Sequence, residues 1–235
     1  MDTTLSPGQA LVTIFTEPRR VFDSIPRRSM AYLPVLLALA GHVAIWVWYY
    51  QVVDIAWLQD RLIAQHADVT DSASRQAAAS VLSRGGLLAM SVASALVVTP
   101  LVLAILAVYF LVAGKVLGQG RPYGQWFGFV AWGTAPALLL VPVMALQILF
   151  SGNGQVAPDA LNPLSLNALV IGLEASSTWH GLASSLNLTT LWTVGLLAFG
   201  LQLWTRRGWA QAITTAMLPF VVVYGAWALK IVVAG

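Results

Sequence analysis

An all-α, polytopic membrane bundle of five transmembrane helices is the fold this sequence predicts, on three observations. Hydrophobic residues make up 58% of the 235 and charged residues only 9%, where soluble domains carry about 25% charged residues; the mean hydropathy is +0.77. Five apolar stretches, at about 31–51, 87–113, 125–150, 188–204 and 209–233, come close to the roughly 20 residues that a bilayer requires. Those stretches contain no Asp, Glu, Lys or Arg until Lys230, at the exit of the last one.

The chain divides into a basic N-terminal segment, 1–30, and a five-helix membrane domain, 31–235. In the first, Ser6 stands as N-cap and Pro7 at the first position of a helix over 7–16, with Leu11, Val12, Ile14 and Phe15 on roughly one side. Glu17-Pro18 stops it. Arg19, Arg20, Arg27 and Arg28 follow, interleaved with Val21, Phe22 and Ile25. That mixture suits a segment lying on an anionic lipid surface; the alternative is a solvated basic tail that only sets orientation. The stretch lacks the apolar core and small-residue cleavage site of a secretory signal.

The first span ends in Trp46, Trp48, Tyr49 and Tyr50, an aromatic belt of the kind found where a helix leaves the hydrocarbon. Residues 54–84 are polar enough to lie outside the bilayer, with Ser72 capping a helix through Arg84 on which Ala73, Ala77, Val81 and Leu82 recur at helical spacing. The second span carries Pro100. The third follows the glycine turn that starts GQGRPYGQWFGFVAWGTAPALLLVP, residues 118–142. Its prolines, Pro136 and Pro142, each remove a backbone donor and crowd the preceding turn, which a bundle tolerates because neighbouring helices satisfy the freed carbonyls. Its glycines, including Gly128 and Gly133, admit a close neighbour. This span is expected to be bent and to lie at the packing centre. The loop 151–187 contains no Lys or Arg; within it LNPLSLNALVIGLE reads as a short amphipathic or re-entrant helix and SSTWHGLASSL as a second. The fourth span is the shortest. Arg206, Arg207 and Gly208 make a tight turn into the fifth, which holds Pro219.

Basic residues set the expected topology. With the N-terminus inside, Arg19, Arg20, Arg27, Arg28, Lys115, Arg121, Arg206 and Arg207, eight of the twelve, fall on the cytoplasmic side. The other side receives six of the nine acids, Asp54, Asp60, Asp68, Asp71, Asp159 and Glu174. This is a positive-inside pattern, with the C-terminus outside. It suits a bacterial cytoplasmic (inner) membrane. The arginines at 19, 20, 27, 28, 121, 206 and 207 form a candidate face for anionic lipid headgroups or a partner.

Catalytic signals are missing from the sequence: no HExxH, no GxSxG, no phosphate-binding Gly/Lys loop and no carboxylate pair within a span. Without cysteine there is no disulfide or thiolate metal site, and His42, His66 and His180 are far apart in the chain. No enzyme activity, cofactor, metal or nucleic-acid partner is expected. Ion-coupled transport ordinarily leaves charged groups within the membrane, and the spans lack them. His42, Gln147 and Gln202 are expected to be buried polar groups bonded between helices. Pro100, Pro136, Pro142 and Pro219 are candidate kinks, either static bends or hinges. Trp46, Trp48, Trp126, Trp204 and Trp209 lie near span ends and read as interfacial anchors.

Three stretches carry a family resemblance. EPRRVFDSIPRRSMAYLP, with Pro18, Phe22 and Ile25, resembles the opening of the bacterial branch of the Yip family, whose eukaryotic members were named for interaction with Ypt/Rab GTPases. GKVLGQGRPYGQWFGFVAWGTAPALL, with Gly118, Gly120 and Ala135-Pro136, is similar to that family's central segment. LNLTTLWTVGLLAFGLQLWTRRGWAQAITTAMLP, with Leu191-Trp192, Gly195, Gly200, Ala210 and Ala212, resembles its closing hairpin. The resemblance implies a multi-pass helical domain with a cytoplasmic N-terminus. The DLxGP-type signature of the eukaryotic members is absent. The expectation is a non-enzymatic membrane protein that organises membrane or binds lipid and membrane-protein partners, itself included as a homo-oligomer. The alternative is a passive path for a small neutral or lipid-like molecule.

Overall fold

A computed structural model describes residues 5–64 and 72–234. His66, Asp68 and Asp71 lie outside the described residues. Helix α1 (Pro7–Thr16) opens with a reciprocal cap: the Gln9 N–H donates to Ser6 Oγ at 3.3 Å and the Ser6 N–H to Gln9 Oε1 at 2.9 Å. Two orphan donors are thereby satisfied at once, and Pro7 at the first position has none to satisfy. Helix α2 (Pro18–Ser24) follows after Glu17. These two helices join the same core as the spans. Ala10, Ile14, Val21 and Phe22 are fully buried, and the Phe15 ring sits 5.4 Å from that of Trp192.

Among the described residues, five helices are long and apolar enough to cross a membrane. The first is α3 (Tyr32–Val52). Helices α4 (Ile55–Ala64) and α5 (Ser72–Val81) follow. The helix expected to run from Ser72 to Arg84 stops at Val81, because Ser83 starts the next one by accepting the Gly86 N–H at 3.2 Å. Arg84 is therefore the first residue of α6 (Arg84–Val116), three residues ahead of the expected second span. At 33 residues α6 is about 50 Å long, longer than the roughly 30 Å hydrocarbon layer, and it continues through Pro100.

The third span is broken rather than merely bent. Helix α7 (Tyr123–Gly133) ends at Thr134, a 3₁₀ turn covers Ala135–Leu139, and α8 (Leu140–Phe150) completes the crossing. Pro136 cannot supply an N–H to the ladder, and the Thr134 hydroxyl occupies the end of α7 by donating to the Val130 carbonyl at 3.0 Å. Gly128 and Gly133 stand at close approaches: a Cβ on Gly128 would stand 2.9 Å from that of Ser29, and one on Gly133 would strike Leu197. Pro142 sits exposed near the start of α8.

Beyond α8 the loop 151–187 holds a 3₁₀ turn at Pro158–Leu161, a single π turn at Asn167–Ile171 and helix α9 (His180–Ser185). The fourteen-residue helix expected within it shrinks to that one turn. Gly172, at φ 68°, ends it, and the Asn167 side chain both accepts from the Leu173 N–H and donates to the Leu173 carbonyl. Asn187 caps α10 (Leu188–Thr205), accepting the Thr190 N–H at 3.0 Å. A short turn leads to α11 (Trp209–Ala234), which continues through the half-buried Pro219.

Two cores result. One joins α1, α2, α6, α7, α10 and α11 around Phe22, Phe110, Trp126, Phe129, Trp132 and Trp204. The other, at the opposite end, joins α3, α4, α6 and α8 around Tyr49, Tyr50, Leu58, Leu87, Ile148 and Leu161. Trp126 and Trp204, expected as interfacial anchors, instead fill the first core, being 0% and 6% exposed. The reason is crowding by rings: Trp204 lies 5.1 Å from Trp126 and 5.0 Å from Phe129.

Candidate functional site

The end of the bundle carrying α1 and α2 holds a cleft of about 460 Å³ lined by Arg19, Asp23, Arg121, Gln202, Trp204 and Arg206, among others. Three elements build it. Helix α2 places Arg19 and Asp23 one turn apart, with Nε and Oδ2 3.6 Å from each other and both side chains well exposed. The turn before α7 supplies Arg121. The last turn of α10 and the residue following it supply Gln202, Trp204 and Arg206.

Arg121 is the fixed member. Its guanidinium lies 4.3 Å from the centre of the Trp204 ring, a cation–π contact, and its Nη1 donates to Gln125 Oε1 at 3.2 Å. Its Nε is buried and meets no acceptor among the described residues. Burial pulls this guanidinium below the usual arginine value, yet an arginine keeps its charge at neutral pH. The ring beneath it is equally constrained: Trp204 Nε1 donates to the Phe22 carbonyl at 3.2 Å. Trp204 therefore ties α10 to α2 through its edge while its face carries Arg121.

Arg206 occupies the position just past α10 at φ 54° and ψ 23°, the left-handed conformation that usually calls for glycine or asparagine at a helix C-terminus. For an L residue with a Cβ this costs about 1–2 kcal/mol. The Arg206 N–H closes the helix on the Gln202 carbonyl at 2.8 Å. Arginine is thus held in a conformation it disfavours, at the mouth of the cleft.

Of the seven arginines expected to form one face, Arg19, Arg121 and Arg206 line the cleft. Arg20 pairs with Glu17 at 3.4 Å, while Arg27, Arg28 and Arg207 are exposed and outside it. Gln202, expected as a helix-to-helix bridge, is half-buried on the cleft wall; Gln147 is half-buried on α8. His42, expected to be buried, is exposed on α3, with its ring 6.1 Å from that of Trp46. Asp23, Gln125 and Trp204 escaped the sequence reading as site residues. The available signal was Trp204 two residues before an arginine pair.

A second cavity, about 270 Å³, lies between α3, α6 and the broken span, where Val35, Val98, Val102, Ala135 and Leu138 line it together with Thr99 and Thr134. Among the described residues no three His, Asp or Glu side chains gather as a metal site.

The family model described as the Yip1 domain matches residues 12–229. No curated protein and no solved structure matches the chain.

Proposed function

The chain belongs to the Yip1 domain family, and on that premise we propose a non-enzymatic protein that organises membrane by binding anionic lipid at its basic end. We place it in the bacterial branch of that family and in the cytoplasmic (inner) membrane, N-terminus inside and C-terminus outside. The basic side of the topology supports this placement, since anionic lipid and positive-inside orientation favour the same residues. The observation that carries the lipid reading is Arg121, held over Trp204 in a cleft shared with Arg19 and Arg206. A surface that served only for orientation would have no use for a guanidinium constrained by packing.

Protein reconstituted in nanodiscs of equal phosphatidylcholine and phosphatidylglycerol, re-extracted and weighed by native mass spectrometry, tests it. Retained lipid is expected to be enriched in phosphatidylglycerol, and the enrichment is expected to shrink when Arg19, Arg121 and Arg206 become Gln. Equal retention of both lipids by the unaltered protein would overturn the reading.

One observation favours a passive path for a small lipid-like molecule: the apolar cavity beside the interrupted span. Its two threonines and the irregular backbone at Ala135–Leu139 would be the polar contacts along it. Flux of a short-chain lipid probe across liposomes, lost on Ala135→Leu, is the outcome this alternative requires.

A further inference from the structure

From the same basic cleft, and resting on the lipid reading above, we infer a selective site for a phosphomonoester group, with Arg121 as its anchor and Arg19 and Arg206 as its clamp. Three arginines and Asp23 line the cleft, leaving a formal charge of +2 to be matched. A phosphomonoester carries about −1.5 to −2 at neutral pH, whereas a phosphodiester carries a single charge. Charge balance therefore selects the terminal phosphate over the bridging one.

Geometry supports this choice. Guanidinium groups present planar forks of N–H donors that suit phosphate oxygens. Arg121 has part of its fork committed to Gln125, while its Nε is buried without an acceptor among the described residues. Its stacking on Trp204 removes most of the rotamer freedom that an arginine would otherwise lose on binding. Arg19 is free to turn from Asp23, since an exposed pair at 3.6 Å contributes little. Arg206 is held in the left-handed region at the mouth, and backbone strain of this kind clusters at ligand clamps. A phosphomonoester could come from a membrane lipid such as phosphatidic acid or from a soluble phosphate. The chemistry recognised is the same.

Full-length protein in a neutral detergent provides the test. Short-chain phosphatidic acid, short-chain phosphatidylglycerol and inorganic phosphate are titrated while the thermal-unfolding midpoint is followed, because a ligand that binds the folded state raises it saturably. Phosphatidic acid is expected to bind several-fold more tightly than phosphatidylglycerol. R121Q should weaken phosphatidic acid binding about tenfold, the scale of one charged hydrogen bond. R206G should weaken it several-fold while raising the midpoint of the unliganded protein, since glycine relieves the left-handed strain; loss of binding with gain of stability separates the site from the fold. R19Q, at an exposed position, gives the same reading should R121Q fail to fold. R207Q, outside the cleft, should leave binding unchanged.

Competition by millimolar inorganic phosphate would support the site and assign it to a soluble phosphate; failure to compete, with phosphatidic acid bound, would support it and assign it to the lipid. Unaltered phosphatidic acid binding by R121Q and R206G overturns the inference, as does equal weakening by R207Q and R206G. If phosphatidylglycerol binds as tightly as phosphatidic acid, the phosphomonoester site fails while the general preference for anionic lipid stands. If no anionic lipid binds but inorganic phosphate does, with R121Q weakening it, the lipid reading falls and the phosphate site stands; if neither binds, both fall.

Discussion

The two ends of this bundle are held together by different means. At the basic end, helices meet directly through rings and bare backbone: Phe22 and Phe129 close on Gly200, Trp126 on Gly114 and Leu197 on Gly133. Buried indoles there also bond to backbone, Trp204 to the Phe22 carbonyl and Trp132 to the Ser29 carbonyl. At the opposite end, side chains reach for backbone in connecting segments. Tyr49 donates to the Val156 carbonyl at 2.8 Å, Arg84 to the Val53 carbonyl at 3.2 Å, and Gln59 to the carbonyls of Ala79 and Leu82. Asp54 accepts from the Trp57 N–H and from Gln155. Arg84 is bound to a carbonyl at its own end, whereas Arg121 rests on a ring and bonds to the Gln125 side chain.

The sharpest break in this comparison is Trp204→Ala. It removes a nearly buried ring shared by α2, α7 and α10, and with it the platform under Arg121. A loss of about 3–5 kcal/mol is expected, read by denaturant unfolding in detergent, together with loss of phosphate binding. Gly133→Val tests the close approach alone. Its added carbons collide with Leu197, so about 1–3 kcal/mol should be lost through overpacking, checked by the same unfolding curves, with Arg121 left in place. At the other end Tyr49→Phe deletes one hydrogen bond and keeps the ring, and the drop should be only about 0.5–1.5 kcal/mol. A Tyr49→Phe effect as large as that of Trp204→Ala would erase the distinction between the two ends.

Acidification gives the smallest effect. The Trp57 N–H, and after it the Gln155 amide, hold the Asp54 carboxylate below its ordinary value. The folded state thus favours the ionised form, and its contribution is present above the unfolded value of about 3.9 and lost as pH falls through the lower, folded one. Thermal midpoints compared between Asp54 and Asp54→Asn protein should converge below about pH 4 and differ slightly at neutral pH. A gap that widens on acidification would contradict this assignment.

Much of the fold was legible because membrane spans announce themselves. Charge-free runs and the placement of Pro136 and Gly133 follow from one-dimensional chemistry: hydrocarbon excludes charge, proline lacks a donor and glycine lacks a side chain. The site was legible only by half. Arg19, Arg121 and Arg206 were three of seven candidates of equal rank, and nothing local separates them from Arg20, whose partner Glu17 lies three residues away. Trp126 and Trp204 show why. An indole with an apolar body and one N–H suits a lipid interface and a crowded core alike, and the choice depends on rings that arrive from elsewhere in the chain. The end of the helix at Val81 was missed for a different reason: Ser83 is itself a good cap, and by starting the long span it ends the helix before it. His42 reads as costly to expose among lipids, yet its neighbour Trp46 is on the same helix, so no second helix is needed to give it company.

The bond from Trp204 to the Phe22 carbonyl joins positions 182 residues apart. During synthesis at about 5–20 residues per second, α2 therefore waits roughly 10–35 s before its partner leaves the ribosome. For the first part of that interval, until α7 brings Phe129 against Phe22, the apolar faces of Ile14 and Phe22 have little protein to cover them, and lipid at the membrane surface is the nearest shelter. The first helices made therefore wait for almost the whole chain before this bond can close.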